Sequence, residues 1–220
     1  MSTAHTTLAA QVAEMQAGFA TQLPRDLLDV LTTDQQRMAA EGAPNAAAPG
    51  TPMPDGELLD AHGNRTSLAA TRAGRPAVVV FYRGQWCPYC NLTLKTYEEQ
   101  VVPALRERDI RLIAVSPQKP DSSLATTELN QLTFDVVSDP GNRLATALGI
   151  RTAPSQESRD ATGRMGLDLS TFNADGGYGL PMPTVALVDA DGVIAWIDVH
   201  PNYVNRTEPS DILAAVARLP

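Results

Sequence analysis

Residues Val78 to Cys90 read VVVFYRGQWCPYC. Val78 to Tyr82 form a short, continuous run of β-branched and aromatic residues, the pattern of a buried strand. Arg83-Gly84-Gln85 makes a polar turn, and Trp86 then leads into Cys87-Pro88-Tyr89-Cys90. Asn91 to Arg108 read as helix, so the cysteine pair falls where a central strand ends and a helix begins. Free backbone N–H groups and the positive end of the helix dipole favour a thiolate there, and the thiolate is the reactive form of cysteine. The spacing puts both sulfurs within one helical turn, close enough to form a disulfide with little backbone movement. Pro88 suits an early helix position, where its missing N–H costs nothing. Trp86 shields one side of the pair or is ordinary core.

The two cysteines are the only ones in 220 residues. A secreted disulfide scaffold uses many widely spaced cysteines, so this pair reads as redox-active or metal-binding. A zinc site needs further ligands, and His5, His62 and His200 show no ligand spacing to one another or to the cysteines. The expectation is no metal and no cofactor. With 17 Lys+Arg against 25 Asp+Glu the net charge is −8, which argues against nucleic acid or an anionic membrane surface as partner. Met1 to Gln11 is polar and Ala-rich rather than a leader, and no apolar run reaches membrane-span length. A cytoplasmic location follows as the expectation. The three Asn-x-Thr triplets, including Asn205-Arg206-Thr207, carry no meaning without a secretory route.

Outward from the pair, apolar residues at helical spacing predict a helical hairpin, Leu8 to Phe19 and Leu27 to Ala40, broken at Pro24. Gly42 to Pro54 has linker composition. The expected organisation is an N-terminal helical extension with linker over 1–49 and an α/β domain over 50–220. The extension packs on that domain or on a second subunit in a homodimer, and the sequence does not decide which. Residues 58–68 predict a β-hairpin. Strand 77–82, helix 88–108, strand 111–116, helix 122–132, strand 134–138 and helix 142–148 then alternate. A closing hairpin, 184–188 and 193–198, and a helix over 210–219 follow. This order predicts an α/β sandwich with a central mixed sheet, an N-terminal β-hairpin and a thioredoxin-like fold. Arg151 to Pro183 reads as irregular, either a flap over the cysteines or a passive surface excursion.

A second motif, Met182-Pro183-Thr184, directly precedes strand 184–188. A proline there is commonly a boundary marker. In thioredoxin-like proteins it is a cis proline lying against the cysteine pair, beside backbone that can pair with an extended substrate.

From about Gly50 to Leu219 the chain resembles the alkyl hydroperoxide reductase and thiol-specific antioxidant family, the peroxiredoxin-like branch of the thioredoxin superfamily. The residues that carry the resemblance are Phe81 to Cys90, Leu180 to Thr184, and Val188-Asp189-Ala190-Asp191-Gly192. The first is similar to a subgroup with a Trp-Cys-Pro-Tyr-Cys site. The resemblance implies a thiol-dependent peroxidase acting on hydrogen peroxide or alkyl hydroperoxides, with thioredoxin or glutathione as reductant. Laid on the family's Pro-x-x-x-Thr-x-x-Cys pattern, Arg83 replaces the proline, Cys87 the threonine, and Cys90 falls at the peroxidatic position. The family's later arginine falls on Pro183.

The two lines of reasoning nominate different sulfurs. The family pattern points to Cys90. The electrostatics and access of a helix start point to Cys87 as the exposed nucleophile with Cys90 as resolving thiol, and that is the reading preferred from sequence. Arg83 either stabilises the thiolate or is a solvated surface residue, the latter being slightly preferred. Trp86, Arg83, Pro183 and Thr184 are the expected substrate-binding residues. Beside the peroxidase stand two other readings: a thiol-disulfide oxidoreductase acting on proteins, and a redox-sensing or binding module.

Overall fold

A computed structural model describes residues 6–219; His5 and the first residues of the polar start lie outside them. The predicted hairpin forms as α1 (Leu8–Gln22) and α2 (Arg25–Glu41), with Thr7 capping α1 by accepting from the Ala10 N–H. Then come β1 (Glu57–Leu59), β2 (Arg65–Ser67), α3 (Leu68–Arg72), β3 (Ala77–Phe81), α4 (Pro88–Gln100), α5 (Val102–Glu107) and β4 (Arg111–Ser116). These are followed by α6 (Pro120–Asn130), β5 (Asp135–Ser138), α7 (Arg143–Ala147), β6 (Arg151–Thr152), α8 (Gln156–Arg164), α9 (Leu169–Phe172) and β7 (Leu180–Pro181). A hairpin, β8 (Thr184–Val188) and β9 (Ile194–Val199), and α10 (Pro209–Val216) close the chain.

Seven strands form one mixed sheet in the order β2-β1-β5-β4-β3-β8-β9. β3 is central, parallel to β4 and antiparallel to β8. Its side chains alternate between two cores. Val78, Val80 and Tyr82 join α1, α4 and α10 on one face, and Ala77, Val79 and Phe81 join β1, α3 and α7 on the other. A strand covered on both faces has no polar side to alternate with, hence the unbroken apolar run. This is the thioredoxin-like α/β sandwich with a β-hairpin at its edge that the element order predicts.

Three expectations are corrected. The single helix over 88–108 divides at Val101, because Pro103 opens α5 and has no N–H to offer the preceding turn. The stretch 151–183 is not irregular: Ser155 caps α8 and Asp168 caps α9. The polar sequence of α8 shows no apolar period because the helix braces α2 through polar groups. Asp34 accepts from the Ser155 N–H at 3.1 Å, and Arg37 donates to the Ala153 carbonyl at 2.9 Å. Residues 42–54, though of linker composition, lie flat on the main body. Ala47 donates to the Leu148 carbonyl at 2.9 Å and Gly50 to the Ile194 carbonyl at 2.8 Å. At Gly149 (φ +70°) a Cβ would stand 2.0 Å from the Asn45 carbonyl oxygen, so this crossing requires glycine.

The N-terminal helices pack on the rest of the same chain. Leu8, Val12 and Met38 are part of the core that holds the cysteines, and Phe19 meets Tyr89 edge-on at 5.9 Å. Glu208, just before α10, accepts from the Leu8 and Ala9 N–H groups at 2.9 and 2.7 Å, placing a carboxylate on the positive end of α1.

Candidate active site

β3 delivers the chain to Tyr82, and a tight turn carries it into α4 with Cys87 as N-cap and Pro88 in the first turn. The turn is pinned by buried Gln118, which accepts from the Gln85 N–H at 2.7 Å and donates to the Tyr82 hydroxyl at 2.8 Å. Gly84 has φ +148°, and a Cβ there would meet Trp86 Nε1 at 2.5 Å. Glycine is therefore required for Trp86 to fold back over the turn. Asn91 closes the loop from the helix side, donating to the Gln85 carbonyl at 2.8 Å.

Both cysteines are free thiols and both are 1% exposed. The expectation of Cys87 as the exposed sulfur is thus corrected: it is buried in the same core as residues of α1 and Tyr203. What distinguishes the sulfurs is their polar surroundings. Cys90 Sγ accepts from the Arg83 N–H at 3.4 Å and from Arg206 Nη2 at 3.5 Å, while Arg206 is 4.0 Å from Cys87 Sγ. Burial alone pushes the Cys90 thiol up. The Cys87 thiol donating to it, the Arg206 guanidinium, the Arg83 N–H and the Arg83 charge outweigh that and draw it down to about 5. Cys87 goes the other way: burial, its bond to Cys90 and the charge on Cys90 hold it protonated well above the ordinary thiol range. One proton is shared out so that Cys90 carries the negative charge and Cys87 the hydrogen.

Arg83 is 6% exposed rather than solvated. Its guanidinium lies 3.8 Å from the ring of Tyr203 and 5.1 Å from that of Trp86. Pro183 and Thr184 do reach the site, lining with Cys90, His200, Arg206 and Thr207 a cavity of about 10 Å³, room for about one water. The Met182–Pro183 bond is trans, like every peptide among the described residues, the lower-energy form of an X-Pro bond. The backbone beside it is already paired. Met182 donates to the Ile150 carbonyl at 2.8 Å, and the Pro183 carbonyl accepts from the His200 N–H at 2.9 Å. No free edge remains there for an extended substrate.

Sequence reasoning missed Arg206. Counting from the family pattern leads to Pro183, and the guanidinium arrives instead from the loop after β9, 116 residues beyond Cys90. The loop is held from both sides. The Tyr97 hydroxyl of α4 donates to the Thr207 carbonyl at 2.7 Å, and the Thr207 hydroxyl donates to Asp198 Oδ2 at 2.8 Å. His200 Nε2 stands 3.0 Å from the same carboxylate oxygen and holds Asp198 below the usual carboxylate range. Among the described residues no three His, Cys, Asp or Glu side chains converge as a metal site requires, and no helix is long and apolar enough to cross a membrane.

With this geometry in view, comparison with known proteins gives a family. Residues 49–197 match the AhpC/TSA family. The chain belongs to it. Two provisionally named peroxiredoxins of Mycobacterium tuberculosis strains are 32% identical over 101 residues, 46% of this chain and 63% of theirs; the chain thus spans less than two thirds of those relatives. Among solved structures, peroxidoxin BcpB from Mycobacterium tuberculosis superposes with a TM-score of 0.59 at 15% identity, covering 78% of this chain and 97% of that one. A peroxiredoxin-like protein from Aquifex aeolicus gives 0.59 at 13%, covering 80% and 89%. At such identities the likeness carries the fold. Within the AhpC/TSA frame, the two cysteines and Arg83 lie inside the matched residues, whereas Arg206, Tyr203, α1 and α2 lie outside them.

Proposed function

We propose that the chain is a thiol-dependent peroxidase in which Cys90 attacks and Cys87 resolves. The observation that carries this is the convergence of Arg206 and the Arg83 N–H on Cys90 Sγ, with a protonated thiol one turn away. The Cys90 thiolate attacks one oxygen of a hydroperoxide, the O–O bond breaks, and the product is a Cys90 sulfenic acid plus an alkoxide that takes a proton to leave as alcohol or water. Arg206 can hold the departing oxygen's charge. Cys87 then attacks the sulfenic sulfur, water leaves, and the Cys87–Cys90 disulfide forms. Two equivalents of an external thiol, from thioredoxin or glutathione, restore the pair. Cys87, though only 1% exposed, lines a neighbouring groove from which an external thiol can approach it, and Cys90 is the better leaving group because its thiolate is stabilised.

A brief pulse of hydrogen peroxide on the Cys87→Ser and Cys90→Ser variants, followed by mass spectrometry, tests the assignment. Sulfenic acid should be trapped on Cys90 in the first variant and be absent from the second. Trapping in neither removes the peroxidase reading, and trapping only on Cys87 reverses the roles.

A second reading, thiol-disulfide exchange with proteins, draws on the free Cys-x-x-Cys pair. The paired backbone at Met182 and Pro183 speaks against it. Insulin reduction faster than peroxide turnover is the result that would favour it.

A further inference from the structure

A groove of about 480 Å³ opens beside Cys87, within the range of small-molecule sites. Its walls are Phe19, Leu23, Leu27 and Leu31 of the helical extension, with Met165 and Leu169 from the 151–183 segment. The peroxide step at Cys90 uses none of this space, and the AhpC/TSA match does not include the extension.

The charge inside the groove is unbalanced. None of the residues lining it is Asp or Glu, and its one cation is Arg83. Arg83 as a residue is more than nine-tenths buried. Among the described residues it has neither a carboxylate partner nor a hydrogen-bond acceptor; it faces the rings of Tyr203 and Trp86, and its charge also bears on the Cys90 thiolate, which Arg206 contacts directly. Tyr89, in the same wall, is pushed up to about 12 by burial and stays neutral. Buried cations are ordinarily paired, because desolvation without a counter-ion is costly. Ring faces take up part of that deficit and leave the planar edge of the guanidinium free for a carboxylate.

We propose that this groove binds a long-chain monocarboxylate, with its hydrocarbon tail between the N-terminal helices and the 151–183 segment and its acidic group on Arg83 beside Cys87. One cation without a carboxylate partner matches a single negative charge, and the apolar walls match a hydrocarbon chain. A bound chain would lie across Cys87 and leave the small cavity at Cys90 untouched.

The test is fluorescence titration of the full, reduced chain with 11-(dansylamino)undecanoate and with its methyl ester. Saturable binding of the acid, at least tenfold weaker for the ester and for Arg83→Gln, is the expected result. Ala20→Trp, which narrows the apolar end, should weaken acid and ester alike. Excess oleate should displace the probe. Equal binding of acid and ester, unchanged binding by Arg83→Gln, or no saturable binding overturns the proposal. If Arg83→Gln does not fold, the acid-to-ester comparison on the unaltered chain decides. These readouts are independent of peroxide turnover, so the site stands or falls apart from the peroxidase reading.

Discussion

Arg206 Nη2 stands 3.5 Å from Cys90 Sγ and 4.0 Å from Cys87 Sγ, and this half-ångström bias coincides with the sulfur that also receives a backbone N–H. Charge and hydrogen bonding thus select the cysteine deeper in the helix over the one at its start.

Replacing Arg206 with Gln should raise the Cys90 thiol by about 1–3 pK units, the usual effect of losing an opposite charge at this distance. Thiolate absorbance near 240 nm against pH reads the shift directly. Alkylation in mild acid should slow about tenfold per unit, with Arg206→Lys in between. An unchanged midpoint would show that the helix start, not the arginine, sets the thiolate.

The pH dependence of stability follows from the same group. Cys90 loses its proton near 5 in the folded chain and near about 8.5 when unfolded. The folded state therefore binds fewer protons between these values. The stabilisation is complete above about 8.5 and is lost as pH falls through 5. Urea titrations of the reduced chain and of Cys90→Ser should differ most at the upper end of this window and converge towards its lower end. A constant difference would contradict the depressed thiol.

Tyr97→Phe removes the donor to the Thr207 carbonyl. Both residues are buried, so the orphaned carbonyl should cost about 1–3 kcal/mol, read as a lower urea midpoint. Because Thr207 follows Arg206, the Cys90 midpoint should rise as well. A stability loss with no change in thiolate titration would confine Tyr97 to a packing role.

Glu208→Ala strips the carboxylate from the start of α1. A loss of about 0.5–2 kcal/mol is expected from the cap and dipole together. Hydrogen exchange should quicken over 8–22 first. Exchange unchanged there would mean that Leu8 and Val12 alone anchor the helix.

The central sheet was legible because its signal is local. Val78 to Phe81 alternate between two apolar cores, and the Cys-x-x-Cys spacing announces itself within four residues. α8 was not, since Gln156–Arg164 offers no apolar period and is held by capping and by Asp34 and Arg37 from a distant helix. Arg83 looked like a surface residue because nothing in a turn reveals that two aromatic rings, one of them 120 residues away at Tyr203, will enclose it. Arg206 had no local signal at all. The cysteines are found by motif and their electrostatics by topology.

The loop that carries Arg206 has a temporal consequence. Synthesis runs from the N-terminus, and domains can begin to fold as they emerge. The strand, the turn and both thiols are made more than a hundred residues before the guanidinium that draws Cys90 into its anionic form. A nascent chain therefore carries two cysteines without the larger of the two charges that lower Cys90, and the reactive sulfur is fully armed only when the last strand and its following loop have closed over α4.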